Sequence, residues 1–384
     1  MRILFVITGL GVGGAERQVV DLADRMAGRG HEVGIAYLTG EAALLPANGS
    51  IRVTGFGISK SVGGLFRAYG SLRRLIGSFR PDVVHSHMVH ANLLARLVRL
   101  TTRVPRLICT AHNTDEGGPA RMWAYRLTDG LADLSTNVSA KAVAAFEAKG
   151  AVRRGAMIVV SNGIDTDRFR APADAGAGRV LRDRAGLDPA DKLVLAVGRL
   201  EEQKDYPNLL EAFARVRRDG ADARLWIAGG GPLLAGLTRT ATDLGVLDRV
   251  DFLGVRPDVP ALFDAADVFV LSSAWEGFSL VVGEAMACGK VVVATDCGAV
   301  RELLGDCGFL VPPRDPAALA SALSRALAVP PEDALAMGAR ARQRIVSRFS
   351  LECAVEDWLS IYAGRRTARL SDAREEGEDR CPDC

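Results

Sequence analysis

The run Met1-Arg2-Ile3-Leu4-Phe5-Val6-Ile7-Thr8-Gly9-Leu10-Gly11-Val12-Gly13-Gly14 decides the fold class. Its apolar opening, Arg2–Ile7, has the length of one buried strand, the glycines make a turn, and an amphipathic stretch over Ala15–Gly28 follows. Gly30 is suited to stop that helix. Strand, glycine turn and helix repeat along the chain, which is the pattern of a parallel α/β protein. Further strands are expected at Val33–Leu38, Ile51–Gly55, Val83–Ser86, Arg106–Ala111 and Ile158–Ser161, with helices near Leu65–Ser78, Ala91–Leu100 and Ala140–Lys149.

The Gly/Ala/Asp-rich stretch Ala171–Gly178 breaks the alternation and reads as a linker. A second set follows, with strands at Leu193–Gly198, Arg224–Ala228, Val250–Leu253, Val268–Leu271, Val291–Ala294 and Phe309–Val311. Its helices include Asn208–Arg218, Leu233–Leu244, Leu280–Cys288 and Ala317–Leu327. The expected architecture is two doubly wound Rossmann-like domains facing each other across a cleft, with ligands beyond the carboxyl ends of the strands. The domains are placed at 1–172 and 179–350, with a tail over 366–384 expected to be disordered. A length of 384 residues fits two domains of about 100–200 residues each.

Lys and Arg number 48 against 46 Asp and Glu, so a net charge of +2 gives no global field for nucleic acid, and any basic site is local. The first apolar run is too short for a signal peptide, and no stretch of roughly 18 apolar residues occurs, so a cytoplasmic protein without a membrane span is expected. The seven cysteines are odd in number and mostly sit singly in apolar segments, as buried reduced thiols do. Cys381-Pro-Asp-Cys384 has C-x-x-C spacing but lacks the second ligand pair of a zinc site.

Gly9-Leu10-Gly11-Val12-Gly13-Gly14 satisfies the dinucleotide pattern G-x-G-x-x-G. The second strand, Val33–Leu38, carries no acid for a ribose, which argues against a nicotinamide cofactor. What remains is either a loop whose amides and helix dipole hold an anionic group, or a tight turn alone.

The second half holds more chemistry. Arg199 and Lys204 follow a strand end in Gly198-Arg199-Leu200-Glu201-Glu202-Gln203-Lys204, a fork and a point charge suited to a diphosphate, although exposed basic pairs are usually solvated surface. Further on, Glu276 lies in a loop and Glu284 on the helix that starts near Ser279. The free amides of Phe278, Ser279 and Leu280 can receive a phosphate if that end of the helix is open. Glu284 stands among apolar residues and needs partners, which ribose hydroxyls, a helix dipole or a salt bridge would each supply.

The run Glu276-Gly277-Phe278-Ser279-Leu280, then Glu284-Ala285-Met286-Ala287 and Gly289, resembles the Glu-x7-Glu mark of the retaining family-4 glycosyltransferases with the GT-B fold. Gly198-Arg199-Leu200 with Lys204, Gly229-Gly230-Gly231-Pro232, Gly13-Gly14-Ala15-Glu16-Arg17 and Ser161-Asn162-Gly163-Ile164-Asp165 are similar in order and spacing, so the resemblance covers about residues 1–365. It implies that Arg199 and Lys204 bind the donor diphosphate, Glu284 the ribose, and Glu276 the transferred sugar. His112 matches the family's histidine facing that sugar, and Gly13 and Gly14 would allow close approach of donor diphosphate and acceptor. The helix Leu351–Tyr362 would return to complete the first domain, over 351–365. Lys290 and Ala299 depart from the family's usual Pro and Gly.

The resemblance implies transfer of a sugar from a nucleotide-diphosphate donor, expected to be a UDP-sugar, to a saccharide or lipid-linked saccharide in cell-surface polysaccharide synthesis. No cofactor and no metal are expected, since fixed cations and a helix dipole can balance the diphosphate. Asp165-Thr166-Asp167 resembles a metal-binding DxD but follows Asn162-Gly163, where a turn or cap is the simpler reading. His85, His87 and His90 lie close in sequence and read as cleft lining rather than a metal site. Ser59–Arg80 is a basic amphipathic helix that either rests on an anionic membrane or buries its apolar stripe in the first domain. Two rivals remain, a GT-B-fold epimerase or hydrolase of nucleotide sugars and a non-catalytic nucleotide-sugar binding subunit.

Overall fold

The computed structural model describes residues 1–58, 61–114, 116–171, 176–188 and 190–365. They form two compact units, Met1–Gly163 with the segment from Leu351 onward, and Ile164–Ser350.

The first unit is built on a seven-stranded sheet of β1 (Arg2–Gly9), β2 (Glu32–Thr39), β3 (Arg52–Gly55), β4 (Val83–His87), β5 (Leu107–Ala111), β6 (Leu134–Asn137) and β7 (Met157–Val159), ordered 3-2-1-4-5-6-7. Every pairing is parallel. The chain reverses direction across the sheet between β1 and β4, so their carboxyl ends flank a crevice not covered by a crossover. Alternate residues of β1 serve two cores. Ile3, Phe5 and Ile7 pack with Val19, Leu22 and Met26 of helix Gly14–Gly28 and with Trp358, while Leu4 and Val6 pack with Leu72, Ile76 and Leu94 on the other face. Helix Leu351–Tyr362 belongs to this unit, and Val355, Trp358 and Tyr362 are buried in its core.

The second unit carries a six-stranded sheet of β8 (Lys192–Val197), β9 (Ala223–Ala228), β10 (Val250–Gly254), β11 (Val268–Leu271), β12 (Val291–Thr295) and β13 (Phe309–Val311), ordered 10-9-8-11-12-13. Its pairings are also parallel, and its switch point lies between β8 and β11. Val194 and Ala196 of β8 share a core with Leu209, Leu210 and Phe213 of helix Tyr206–Arg218 and with Leu319 and Leu323 of helix Pro316–Leu327.

The units meet in sequence at Gly163/Ile164, upstream of the linker placed from composition. The physical reason is that the chain is already tied to the second unit there. Ile164 N–H donates to Phe349 O at 2.8 Å, and the Phe169 ring meets Phe263 edge-on at 6.1 Å. The end of the glycine-rich stretch is helical, as Gly176–Arg184, and Gly178 N–H donates to Asp264 Oδ2 at 2.7 Å. Residues 172–175 of that stretch and the tail 366–384, with Cys381 and Cys384, lie outside the described residues. So do Ser59 and Lys60 of the basic segment, which is helical over Val62–Phe79 and capped by Ser61 Oγ accepting from Gly64 N–H at 3.1 Å. Among the described residues no helix is long and apolar enough to cross a membrane.

Candidate functional site

In the second unit the candidate residues collect on the two loops that leave the switch point. β8 ends at Val197, and Gly198-Arg199-Leu200 crosses into the short turn Glu202–Lys204. This crossing is pinned by Leu200 N–H donating to Gly230 O at 2.9 Å, so the glycine turn after β9 buttresses it. Gly229, at φ +152°, lies so close to Gly198 O that no side chain fits. β11 ends at Leu271, and Ser272-Ser273-Ala274-Trp275-Glu276 folds back over the same crevice. The two loops are sewn together, because Ala274 N–H donates to Gln203 O at 2.9 Å and Ser272 Oγ donates to Lys204 O at 2.7 Å.

Glu276 is buried at 6% exposure, and its carboxylate is fully engaged. Lys204 Nζ donates to Oε1 at 2.6 Å, Ser273 Oγ donates to the same oxygen at 2.7 Å, and Gln203 Nε2 donates to Oε2 at 3.3 Å. A buried carboxylate requires such partners. Sequence reasoning assigned Lys204 and Glu276 to different parts of a ligand; the structure brings them together as an ion pair. It also adds Gln203 and Ser273, which no motif singled out and which only the spacing of the two loops could have suggested. Arg199 is largely exposed and pairs with Glu201 at 3.1 Å. Tyr206 O–H donates to Gly198 O at 3.0 Å, and burial pushes its phenol upward in pKa.

The loop continues through Gly277 and the buried Phe278 to Ser279, which caps helix Leu280–Ala287 with no side-chain hydrogen bond to it. Ser279 Oγ is buried without a partner. Val282 and Gly283 N–H donate to Ser279 O at 3.2 and 3.4 Å, so the Leu280 and Val281 amides and this hydroxyl stand at the positive end of the helix dipole. Glu284, one turn in, is half-buried. The approach of the neighbouring loop explains one of the two departures from the family pattern. Gly298, at φ +56°, passes so close to Glu276 O that a Cβ there would collide, whereas Ala299 sits at φ −87° and donates its N–H to Gly277 O at 3.0 Å. The glycine is needed at Gly298 and not at Ala299. Lys290 in place of Pro donates to Ala266 O at 3.0 Å and Asp264 O at 3.3 Å, and burial lowers its pKa.

In the first unit, Gly13 is the N-cap of helix Gly14–Gly28, with an extended backbone at φ −165°. The Glu16 carboxylate packs against Gly13, so a Cβ there would displace it. At the carboxyl ends of β4 and β5 lies a chain of imidazoles. His85 Nδ1 is 2.7 Å from Tyr362 Oη and its Nε2 2.7 Å from Thr110 Oγ1, so both nitrogens are used. His87 Nδ1 is 2.9 Å from His112 Nε2. Burial pushes the pKa of His85 and His87 well down and that of His112 to about 4, so the three rings are neutral at pH 7. His112 N–H donates to Glu116 Oε1 at 3.0 Å, and Glu116 Oε2 accepts from Tyr125 O–H at 2.5 Å. Burial raises the pKa of Glu116, a residue that sequence reasoning passed over. Asp165 Oδ1 accepts from Asp167 and Arg168 N–H at 3.1 and 3.0 Å, which is the turn reading of that motif.

Comparison with known proteins gives this arrangement a class. The fold matches that of HepE from Anabaena, solved in complex with UDP, with a TM-score of 0.81 over 95% of this chain and all of that one at 23% identity, so both have the GT-B fold. Residues 12–168 match the family model described as glycosyltransferase family 4, and residues 191–328 that described as glycosyl transferases group 1. The chain is 33% identical over 318 residues to the GDP-mannose-dependent alpha-(1-6)-phosphatidylinositol monomannoside mannosyltransferase of Mycolicibacterium smegmatis, covering 78% of this chain and 80% of that one. It is 40% identical over 233 residues to the D-inositol 3-phosphate glycosyltransferase of Salinispora tropica, a match spanning 56% of this chain and 48% of that protein. The chain belongs to glycosyltransferase family 4.

Proposed function

We propose that the chain is a retaining glycosyltransferase that takes a sugar from a nucleotide-diphosphate donor, a UDP-sugar in the first instance, and delivers it to a saccharide or lipid-linked saccharide acceptor in cell-surface polysaccharide or glycolipid synthesis. The observation that carries this is the vacant hydrogen-bonding capacity of buried Ser279 Oγ at a helix N-terminus, set beside the Lys204–Glu276 pair at a switch point. Helix amides, the Ser279 hydroxyl, Arg199 and Lys204 are donors of the kind a diphosphate requires. Glu284 is assigned to the ribose and Glu276 to hydroxyls of the sugar. His112, neutral and at a strand end, is assigned to the sugar as well.

A double displacement needs a carboxylate nucleophile about 5 Å from an acid partner. Glu276 is held by Lys204, Ser273 and Gln203 and is poorly disposed to attack. Front-face transfer is favoured. The bond from the anomeric carbon to the diphosphate oxygen breaks with its electron pair moving onto the phosphate, where the cations and amides stabilise the charge. The acceptor oxygen bonds to the carbon on the same face, and its proton passes to the departing phosphate. These fixed charges supply the neutralisation a metal would otherwise give. The mannosyltransferase relative is named as GDP-mannose-dependent, and the neighbour HepE was solved with UDP, so the base is the first thing to establish.

The test is calorimetric titration of UDP, GDP and their sugar conjugates into the wild type and Glu284→Ala, without metal and then with Mg²⁺. Metal-independent binding of one nucleotide, weakened at least tenfold by the substitution, is expected. No binding of any nucleotide would overturn the reading.

The first unit also supports a membrane contact. Helix Val62–Phe79 turns Phe66 (74% exposed), Leu65, Arg67, Arg73 and Arg74 outward, and buries Ala68, Leu72 and Ile76. The apolar stripe thus serves the core, and a second apolar pair is left outside among cations, which suits an anionic lipid surface.

A further inference from the structure

We propose that His87 is a positioning residue that fixes His112 as the tautomer protonated on Nδ1, so that His112 offers a hydrogen-bond donor. His87 Nδ1 and His112 Nε2 are 2.9 Å apart, and a hydrogen bond between two neutral rings holds one proton. Either His87 donates it, or His112 does. Each choice dictates where the other proton on each ring must lie.

The far side of His87 separates the two. His87 is 1% exposed, and its Nε2 has no hydrogen-bond partner. Its ring lies against His85, with centroids 4.0 Å apart, and near Phe5 at 5.8 Å. His85 cannot turn a nitrogen toward it, because both are committed to Tyr362 and Thr110. If His112 donated from Nε2, the single proton of His87 would sit on Nε2, leaving a buried N–H aimed at nothing. If His87 donates from Nδ1, Nε2 carries only a lone pair. Orphaned buried N–H groups are rarer than under-satisfied acceptors, so the second arrangement is favoured.

The consequence falls on His112. Accepting at Nε2, it must be protonated on Nδ1, its remaining ring nitrogen. A neutral imidazole so held donates to a lone pair, such as that of a sugar hydroxyl oxygen, and cannot receive a proton from it. The use of this donor toward a sugar rests on the proposed function; the tautomer itself does not. The layers beneath serve the same end, because His85, clamped at both nitrogens and packed against the tilted Trp358 ring with centroids 4.3 Å apart, fixes the plane of His87.

The test is long-range ¹H–¹⁵N correlation on the full chain labelled at histidine, at pH 7. With five histidines in the sequence, His112 is assigned by the signals lost in His112→Gln. Expected in the wild type are protonated Nδ1 and bare Nε2 on His112, with protonated Nδ1 on His87. His87→Asn keeps an N–H donor near the Nδ1 position and should retain the His112 pattern; His87→Phe removes it and should shift His112 toward the Nε2-protonated form. Protonated Nε2 on His112 in the wild type overturns the proposal, and so does a His112 pattern unchanged in His87→Phe. If His87→Phe does not fold, the wild-type spectrum and His87→Asn still decide. If the tautomer is as expected but His112→Gln binds nucleotide sugars and turns them over normally, the sugar assignment fails while the tautomer stands.

Discussion

Lys204 and Glu276 each owe their place to the other. With side-chain exposures of 17% and 7% and a separation of 2.6 Å, the pair ties the loop after β8 to the loop after β11. Removing one partner strands the other. Lys204→Met should lower stability by roughly 2–3 kcal/mol, somewhat below the ~3–5 kcal/mol seen when a fully buried pair is broken, because Lys204 retains some contact with water. Adding Glu276→Gln should restore most of that loss, since the amide carries no charge to strand. Urea unfolding of the wild type, both single variants and the double variant measures the coupling, and additive losses would show that the pair contributes nothing beyond its separate contacts. The motifs were legible because their residue types are chemically unusual for their surroundings, as Glu284 is among Val281, Val282, Ala285 and Met286. Gln203, Ser273 and Glu116 were not, because a polar residue in a loop has no distinguishing mark until its partner is known.

Elements were legible to the extent that their cores are apolar. All the strands expected in the second unit are present, each built around Val, Ile, Leu or Phe, although β9 also holds Arg224 and Trp226 and β10 holds Asp251. β6 was missed for the opposite reason. Leu134-Ser135-Thr136-Asn137 is buried but polar, with Thr136 Oγ1 2.7 Å from Thr110 Oγ1 and Ser135 Oγ accepting from Arg96 at 2.9 Å. A strand that satisfies its polar side chains laterally shows no hydrophobic period. Helix Pro119–Thr128 was missed as well, because it sets Met122 and Tyr125 inward but leaves Trp123 and Leu127 exposed. Helix Val62–Phe79 was found, yet its sequence left open which of two faces is used. Its outer pair makes a prediction: the wild type should sediment with vesicles containing anionic lipid and stay in solution with neutral ones. Phe66→Glu, which replaces an exposed ring worth about 2 kcal/mol on burial by a charge, should abolish sedimentation. Equal behaviour of the two proteins would leave the helix as ordinary surface.

Over the whole molecule, the imidazole chain couples stability to pH. The pKa of His85, His87 and His112 lies below the ordinary 6.5 in the folded chain, so as pH falls from 6.5 the unfolded chain binds protons the folded one does not. Stability present above pH 6.5 is therefore lost on acidification, with a slope of up to about 1.4 kcal/mol per pH unit for each histidine. Thermal midpoints between pH 7.5 and 5 should fall more gently in His87→Asn than in the wild type. Parallel slopes would mean that His87 titrates alike in both states.

Helix Leu351–Tyr362 lies in the core of the first unit, although the entire second unit, Ile164–Ser350, precedes it in the chain. A nascent polypeptide thus delivers one whole contiguous unit before the helix that closes the earlier one. Until then Phe5, Val19 and His85 wait for Trp358 and Tyr362, with apolar surface open to solvent and, in translation, to chaperones. The unit made first is the one finished last.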